Sequence, residues 1–183
     1  MHPRTHAGRW RRPSMWLGAV VLAVLTAVTL FWFQPQKLLY DHPVHEPLPS
    51  AAAPSQAPGS AAAPVELASG LFVSREHETR GTARVLRLAD GSVVVRFEGF
   101  ATSNGPLLVV RLSRNPADGP DAASTDGHVD LGPLRGNVGD QNYVVPAGVD
   151  TTAYTSVVVW CARFHVVFGA ADLTPASPRR PAG

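Results

Sequence analysis

The hydrophobic positions of this chain fall into two patterns. One unbroken apolar run extends from Met15 to Phe33, and no charged residue interrupts it. A helix of these 19 residues, rising about 1.5 Å per residue, nearly spans the hydrocarbon core of a bilayer, which is roughly 30 Å thick. Between Leu67 and Thr174, short runs of valine, leucine, phenylalanine and tyrosine alternate with turn residues. The first pattern predicts a transmembrane helix, and the second predicts a β-rich domain.

The residues that flank the apolar run predict its orientation in a membrane. Four arginines precede it, and aromatic residues stand at both of its ends, namely Trp16, Phe31, Trp32 and Phe33. Basic residues stay on the cytoplasmic side of a membrane, and aromatic residues prefer its interfaces. We therefore expect a single-pass protein of the cell membrane. Residues 1–14 form a basic cytoplasmic segment, residues 15–33 contact membrane lipid, and the remainder is extracytoplasmic.

The alternative for this run is a signal peptide that is cleaved after export. The run is long for the apolar part of a signal peptide, and it ends in bulky aromatic residues instead of the small residues of a cleavage site. The sequence therefore favours a retained signal anchor.

Two segments have compositions that argue against a folded core. Residues 34–66 are rich in proline, alanine and serine, and residues 175–183 contain no large apolar residue. Proline-rich chains of this kind favour extended conformations without tertiary packing. We expect residues 34–66 to be a disordered linker that acts as a stalk, and residues 175–183 to be a disordered tail.

Residues 67–174 have the pattern of a domain of antiparallel strands. The apolar runs are short, they are separated by glycine, proline, asparagine and aspartate, and none has a sustained helical period. The step from Asp90 to Gly91 between two such runs is a strong hairpin signal. Six or more short strands bury a core as two packed sheets or as a closed barrel. We predict an all-β fold, an antiparallel β-sandwich, with a closed barrel as the alternative.

The charge distribution argues against nucleic acid as a partner. The formal net charge is +2, but the four arginines before the apolar run account for more than this excess. Residues 67–174 carry nine arginines and eleven carboxylates. The arginines are scattered singly, whereas a phosphate backbone requires a basic patch or stripe.

Cys161 is the only cysteine of the chain, so an internal disulfide is impossible even in the oxidising compartment that export predicts. Its thiol is a buried inert group, a reactive or metal-coordinating thiolate, or half of an intermolecular bridge. In a regular strand, alternation places Cys161 on one face with Arg163 and His165, while Trp160 shares the opposite face with Phe168. Arg163 would then favour the thiolate. His165 is two pleats away, too far to share a metal with the sulfur, and no metal site is predicted.

Four groups of residues together resemble the DM-thirteen electron-transfer domain. They are Gly70-x-Phe72 with His77 and Gly81; Phe97-x-x-Phe100 with Asn104-Gly105-Pro106-x-Leu108-x-Val110-x-Leu112-Ser113; Leu131-Gly132-x-Leu134-x-Gly136-x-x-Gly139-x-Gln141-x-Tyr143-x-x-Pro146; and Tyr154-x-Ser156-Val157-x-Val159-Trp160-Cys161-x-x-Phe164-x-Val166-x-Phe168-x-x-Ala171-x-Leu173. The resemblance covers the whole predicted β domain. One position departs from the family pattern, because the residue after Pro106, commonly aspartate in the family, is Leu107 here.

The resemblance implies a β-rich extracytoplasmic module that moves electrons at the cell surface. Such domains occur beside DOMON domains and membrane b-type cytochromes, so a membrane cytochrome or another redox protein is the implied partner. The family's proposed chemistry centres on one cysteine, which acts either as a naked redox thiol or as a ligand to a group such as haem. The matching residue in this chain is Cys161.

We therefore expect a membrane-anchored extracytoplasmic redox or electron-transfer module, in which Cys161 is a redox thiol or a haem ligand. The alternative is a non-enzymatic binding or adhesion module of the cell surface, with Cys161 buried and structural. The sequence contains no nucleophile-elbow pattern and no metalloprotease spacing. A hydrolase or transferase is not expected.

Overall fold

The structure, a computed structural model, describes residues 13–33, 40–49, 63–119 and 127–177. The chain divides into two compact units, Met1–Gln36 and Lys37–Gly183. Of the predicted cytoplasmic segment, residues 1–14, only the last two residues are among those described.

The first unit contains helix α1, Pro13–Phe33. Proline suits the first turn of a helix because the N–H that it lacks has no helical partner there. All side chains from Met15 to Phe31 are exposed. Within the described ranges, no helix has the length and apolarity that crossing a membrane requires.

The second unit is built from ten described strands. Valine, leucine and phenylalanine are frequent in them, and these residues pack well on a pleated surface. In chain order the strands are β1 (Pro43–His45), β2 (Val65–Ser74), β3 (Thr79–Arg87), β4 (Val93–Thr102), β5 (Leu108–Ser113), β6 (His128–Pro133), β7 (Val138–Val144), β8 (Ser156–Cys161), β9 (Val166–Asp172) and β10 (Thr174–Pro175). A short 3-10 turn, Thr151–Ala153, precedes β8.

The strands form one continuous sheet that curls into a half-barrel. Their order is β1-β7-β4-β3-β2-β9-β8-β5-β6, with β10 added beside β2. Neighbours along this path are antiparallel except β1 and β7, which are parallel. The predicted all-β class is confirmed. The two separate sheets of the predicted sandwich are replaced by a single curled sheet.

Strand β2 explains why the sheet is continuous. Its residues 65–71 pair with β3, and its residues 72–74 pair with β9. Gly70 lies just before this change of partner, and a Cβ there would be 1.7 Å from the backbone oxygen of Asp172. Only a residue without a side chain lets the two strands approach this closely. Glycine at position 70 therefore allows one strand to belong to both halves of the sheet.

The larger hydrophobic core lies inside the curled sheet. Aromatic rings meet there, with centroid distances of 4.8 Å between Phe72 and Phe97, 5.0 Å between Phe72 and Phe100, and 5.2 Å between Phe97 and Tyr143. Such edge-on and tilted contacts are favourable for aromatic pairs. Cys161 belongs to the same buried cluster.

Residues 40–49, which we call the strap, belong to the folded unit. β1 runs parallel to β7, and the Glu46 N–H continues the pairing with a 2.9 Å hydrogen bond to the Asp140 carbonyl. This corrects the prediction of a disordered linker for these residues. Backbone pairing and polar side-chain contacts hold the strap, and its apolar residues do not join the buried core, so the hydrophobic pattern of the sequence did not predict it. The linker residues 34–39 and 50–62 lie outside the described part of the chain.

Glu46 makes the main side-chain contacts of the strap. Its carboxylate accepts hydrogen bonds from the Asn142 backbone N–H at 2.8 Å and from the Asn142 side-chain amide at 3.1 Å, and it also contacts Arg135. Partial burial raises the pKa of Glu46, but the hydrogen bonds from Arg135 and Asn142 outweigh burial and hold this pKa below its ordinary value of 4.5. The charged carboxylate therefore stabilises the strap above pH 4.5, and this contribution is lost as the pH falls through the lowered pKa.

The C-terminal boundary also differs from the prediction. β10 pairs with Ser69 and Ala68 of β2, and the Ala176 N–H donates to the Leu67 carbonyl at 2.9 Å. The first residues of the predicted disordered tail are therefore packed on β2, again through backbone hydrogen bonds. Residues 178–183 lie outside the described part.

Gly70→Ala should destabilise the folded unit more than Gly91→Ala. A methyl group at position 70 collides with the Asp172 backbone, so we expect the free energy of unfolding to fall by about 3 kcal/mol. Gly91 has a φ of 84° and open space at its Cβ position, so alanine there adds only backbone strain, about 1 kcal/mol. Urea unfolding of both full-length variants measures the difference. Equal losses would contradict the role assigned to Gly70.

Candidate functional site

Cys161 is the last residue of β8, and its side chain lies in the larger core. Val157 and Val159 share this core with it, whereas Val158 and Trp160 belong to a smaller buried cluster on the other face. This division follows the strand alternation that the sequence predicted. The cysteine is 0% exposed, and its thiol is free.

The chain turns directly after Cys161, so alternation does not continue beyond it. Residues 162–165 form a turn. The N–H of His165 donates to the Cys161 carbonyl at 2.9 Å, and the His165 ring lies 6.1 Å from the Trp160 ring. The prediction that His165 shares the face of Cys161 is therefore wrong. The predicted effect of Arg163 on the thiolate no longer follows, because it assumed a regular strand.

Phe168 is also placed differently from the prediction. Val159 pairs with Gly169 and Trp160 pairs with Val167, so Phe168 is the extra residue of a β-bulge. Phe168 lies in the core that contains the cysteine, whereas the sequence predicted it on the Trp160 face. One extra residue in a strand interrupts the alternation of its side chains between the two faces of the sheet, so the simple alternation used in the prediction fails at position 168.

Residues 104–107, which we call the cover loop, close the core beside the sulfur. The Cys161 thiol donates a hydrogen bond to the Pro106 carbonyl, with 3.1 Å between Sγ and oxygen. The pairing of β5 with β8 places the loop there, because Leu108, the first residue of β5, lies opposite Cys161. The sulfur therefore contacts the backbone of a partly exposed loop as well as hydrocarbon side chains.

The cover loop is tightly packed at one position and strained at another. At Gly105, a Cβ would be 2.6 Å from a carbon of the Phe168 ring. Leu107 has a φ of 57° and is 64% exposed. A positive φ costs a residue with a side chain roughly 1–2 kcal/mol. This strain lowers the free energy needed to open the loop.

Two solvent-facing clefts share Asn104 and Asn137 in their linings. The first has a volume of about 480 Å³ and contains charged and titratable side chains, namely Asp41, His77, Glu78 and Arg80. The second has a volume of about 290 Å³ and is bordered by Gly105 and Leu107 of the cover loop. Cys161 lines neither cleft. The cover loop, whose Pro106 carbonyl accepts the hydrogen bond of the thiol, borders this second cleft.

The other histidines of the β domain do not form a metal site with the cysteine. The His77 ring packs on Phe168, with 3.8 Å between ring centroids. His128 Nε2 lies 3.8 Å from an Asp130 carboxylate oxygen, and its buried Nδ1 has no hydrogen-bond partner among the described residues. In the described part of the chain, no group of three or more histidine, cysteine or acidic side chains is arranged to hold a metal ion.

Gln141 and Tyr143 form a buried polar pair close to the second cleft. The Tyr143 hydroxyl donates to Gln141 Oε1 at 2.6 Å, and the Gln141 amide donates to the Gly136 carbonyl at 2.9 Å. Burial raises the pKa of Tyr143 well above its ordinary value, so the hydroxyl stays protonated. These contacts fix the loop before β7, and they are structural.

The packing around Cys161 does not fit a haem. A thiolate ligand must lose its proton and reach the iron directly. This sulfur is fully buried, and its thiol is bonded to the Pro106 carbonyl. Haem ligation by Cys161 stays a prediction of the family resemblance, and it would require the cover loop to leave its place.

The fold and the site define a class of protein: one curled β-sheet that buries a single unpaired thiol beneath a loop. The family model described as Electron transfer DM13 matches residues 71–173, more than half of the chain. The chain belongs to this family, which confirms the resemblance identified from the sequence. No curated protein and no solved structure matches the chain.

The sequence did not reveal the role of the cover loop. Asn104-Gly105-Pro106 is typical of an ordinary turn before a strand. Its contact with Cys161 depends on the register of β5 against β8, and a one-residue shift would move Pro106 away from the sulfur. The sequence feature that could have indicated this contact is that the turn lies directly before the residues of β5.

Gly105→Ala should expose the Cys161 thiol. The added methyl group collides with the Phe168 ring and displaces the cover loop, so we expect the folded full-length chain to react with a thiol reagent at least about tenfold faster. Gly148→Ala is the control, because its Cβ position faces open space and alanine there adds backbone strain, at a φ of 84°, without a collision. Stopped-flow labelling below the unfolding range of urea measures both rates. Unchanged labelling of Gly105→Ala would show that the loop does not control access.

Proposed function

We propose that this chain is a membrane-anchored extracytoplasmic electron-transfer module in which Cys161 is the redox group and the cover loop controls access to it. Membership of the electron-transfer family supports the redox class of function. One observation carries the assignment to Cys161: its thiol contacts the carbonyl of Pro106, 3.1 Å away, in a partly exposed loop. The cover loop is therefore one of the groups that separate the sulfur from solvent.

The closed arrangement keeps the thiol protonated. A carbonyl oxygen accepts the hydrogen bond but is too weak a base to take the proton, and the reactive form of cysteine is the thiolate. Opening of the cover loop brings water to the thiol to accept its proton. The thiolate then gives one electron to the oxidised form of a redox partner, which is reduced, and the sulfur becomes a thiyl radical until an electron is returned to it. The positive φ of Leu107 favours this opening, because the strain is released in the open loop.

The partner in this scheme is a separate redox protein, such as a membrane cytochrome, which exchanges electrons with the sulfur. The second cleft offers a docking surface beside the cover loop, with Leu107 and Leu134 next to Arg135. Nucleic acid is not a partner in this scheme, since residues 67–174 carry nine arginines against eleven carboxylates.

Reversible oxidation of Cys161 in the folded full-length chain tests this role. Peroxide converts a thiolate to a sulfenic acid: an S–O bond forms, the O–O bond breaks, and hydroxide leaves. A small dithiol then reduces the sulfur and is itself oxidised to a disulfide, with release of water. We expect slow oxidation of the wild type and oxidation at least about tenfold faster in Gly105→Ala. Mass spectrometry of the peptide that contains residue 161 follows both steps.

Cys161→Ser is the matched control, because a serine hydroxyl also donates to the Pro106 carbonyl but has no sulfur. Absorption spectra before and after addition of dithionite report any bound chromophore. The redox role is wrong if the folded wild type has no chromophore and its thiol resists both peroxide and a thiol reagent.

A binding or adhesion module of the cell surface is the second candidate function. The observation that favours it is the complete burial of Cys161 with its hydrogen bond made, as in a cysteine that only packs. In that case Cys161→Ser and the wild type exchange electrons with a reduced cytochrome equally poorly. A folded Cys161→Ser chain that loses an electron exchange present in the wild type contradicts this candidate.

Membrane anchoring through residues 15–33, with the N-terminus in the cytoplasm and the β domain outside, is part of the proposal. The uninterrupted apolar run and the arginines before it support this placement.

Val24→Arg should weaken membrane retention. Position 24 is at the centre of the apolar run, where an arginine costs about 2.5–3.5 kcal/mol on insertion. Val24→Leu is the control. The pellet fraction after alkaline carbonate extraction measures retention, and digestion by a protease added outside intact cells measures the side on which the β domain lies. Equal pellet fractions for the two variants, or a β domain protected in intact cells, would contradict the proposed anchoring.

A further inference from the structure

The edge of β7 is shaped to receive an extended segment of backbone. A Cβ at Gly136 would be 2.2 Å from the carbonyl oxygen of His42. A Cβ at Gly139 would be 2.0 Å from the carbonyl oxygen of Val44. Both contacts are with main chain, which cannot move without breaking the parallel pairing of β1 with β7. This edge accepts a strand because side chains are missing at these two positions.

The same edge supplies polar partners at both ends of the bound segment. At one end, Asn137 Oδ1 accepts a hydrogen bond from the His42 N–H at 2.6 Å, and its amide donates to Asp41 Oδ1 at 2.7 Å. At the other end, Asn142 donates through its backbone and its side chain to the Glu46 carboxylate. These contacts specify an extended peptide with a carboxylate near each end.

Arg96 links the strap to the sheet. It is 5% exposed, and its Nη1 donates to the carbonyls of Glu46 at 3.2 Å and Pro47 at 3.3 Å. Its other nitrogens pair with Glu98 and Asp140. Removal of the strap leaves the Arg96 guanidinium paired with Glu98 and Asp140 but without these two carbonyl acceptors, which costs free energy. The β7 edge is therefore more stable when a segment fills it.

None of these contacts requires that the strap and β7 belong to the same molecule. The contacts lie within residues 41–47, which precede the residues 71–173 that match the family. We propose that the β7 edge is a strand-acceptor site, and that the strap of a second copy of this chain binds there by strand exchange. The ligand is an extended peptide that pairs in parallel, and a second copy carries this peptide by definition.

The linker sets the balance between the strap's own site and the site on another copy. Fifteen residues, 50–64, separate the strap from β2 in the sequence. For the design of the experiment we take about 1 mM, the order of magnitude for two partners joined by a short link, as the effective concentration of the strap at its own site. A chain in dilute solution therefore binds its own strap. Exchange occurs when the local concentration of chains approaches that value, and it keeps every contact, so it costs little.

A cut in the linker tests whether the strap is a separable ligand. A protease recognition site is introduced between residues 54 and 58 of the full-length chain, and the protease is added after the chain has folded. We expect the strap-containing fragment to stay with the domain in gel filtration, and a labelled synthetic peptide of residues 40–49 to replace it. Separation of the two pieces at micromolar concentration, with the domain still folded by circular dichroism, would overturn the proposal.

Variants on each side of the contact make the test specific. Gly139→Val should release the cut fragment, because its side chain collides with the Val44 backbone, whereas Gly148→Val, at an open position, should retain it. Glu46→Gln should weaken retention by about tenfold through loss of charge, which corresponds to about 1.4 kcal/mol. Retention of the fragment by Gly139→Val would contradict the assigned site.

Cross-linking between copies tests the exchange itself. Pro43 and Val138 are partners in the register of β1 and β7. A chain with Pro43→Cys and a chain with Val138→Cys are therefore mixed near 1 mM, the effective concentration given above. The mixture is then oxidised. We expect a disulfide-linked heterodimer that neither chain forms alone. A chain with both substitutions shows that the pair can be bridged. Bridging in the double variant without any heterodimer in the mixture would rule out exchange.

Discussion

The close approach of β2 to the end of β9 is the contact on which the rest of the structure depends. Because Gly70 allows one strand to pair first with β3 and then with β9, the described strands form one curled sheet instead of two. A curled sheet has an inner face, which holds the aromatic rings and Cys161. It also has edges, and the edge of β7 is covered by the strap.

The proposed reactivity of Cys161 depends on the kind of group that covers its sulfur. A thiol surrounded only by packed side chains would need a large part of the core to open. Here the thiol bonds to the backbone of a loop that contains a strained residue, Leu107. Loops open locally at a lower free energy than core strands. Membership of the electron-transfer family is compatible with this closed structure if the cover loop moves and the core does not.

The folded unit is larger than the family match because polar contacts extend it. The strap adds a parallel strand beside β7, and the buried guanidinium of Arg96 bonds to its carbonyls. β10 adds a short strand beside β2 at the other end. Both additions satisfy backbone groups at strand edges, which are otherwise open to pairing with other chains.

Local features of the sequence predicted the elements well. The hairpin signal at Asp90 and Gly91 corresponds to the turn between β3 and β4, where the Leu88 N–H bonds to the Ser92 carbonyl at 2.8 Å. Alternation along β8 predicted that Trp160 and Cys161 lie on opposite faces. These features depend on neighbours a few residues apart, and such neighbours are visible in the sequence.

The sequence by itself determined the all-β class, the family and the single cysteine. Only the tertiary structure decided that the sheet is one half-barrel, that the chain turns after Cys161, that Pro106 lies over the sulfur and that residues 40–49 form a strand. Pro106 and Cys161 are 55 positions apart, and Glu46 and Asn142 are 96 positions apart. Contacts over such separations depend on strand register, and register is set by the packing of the whole sheet.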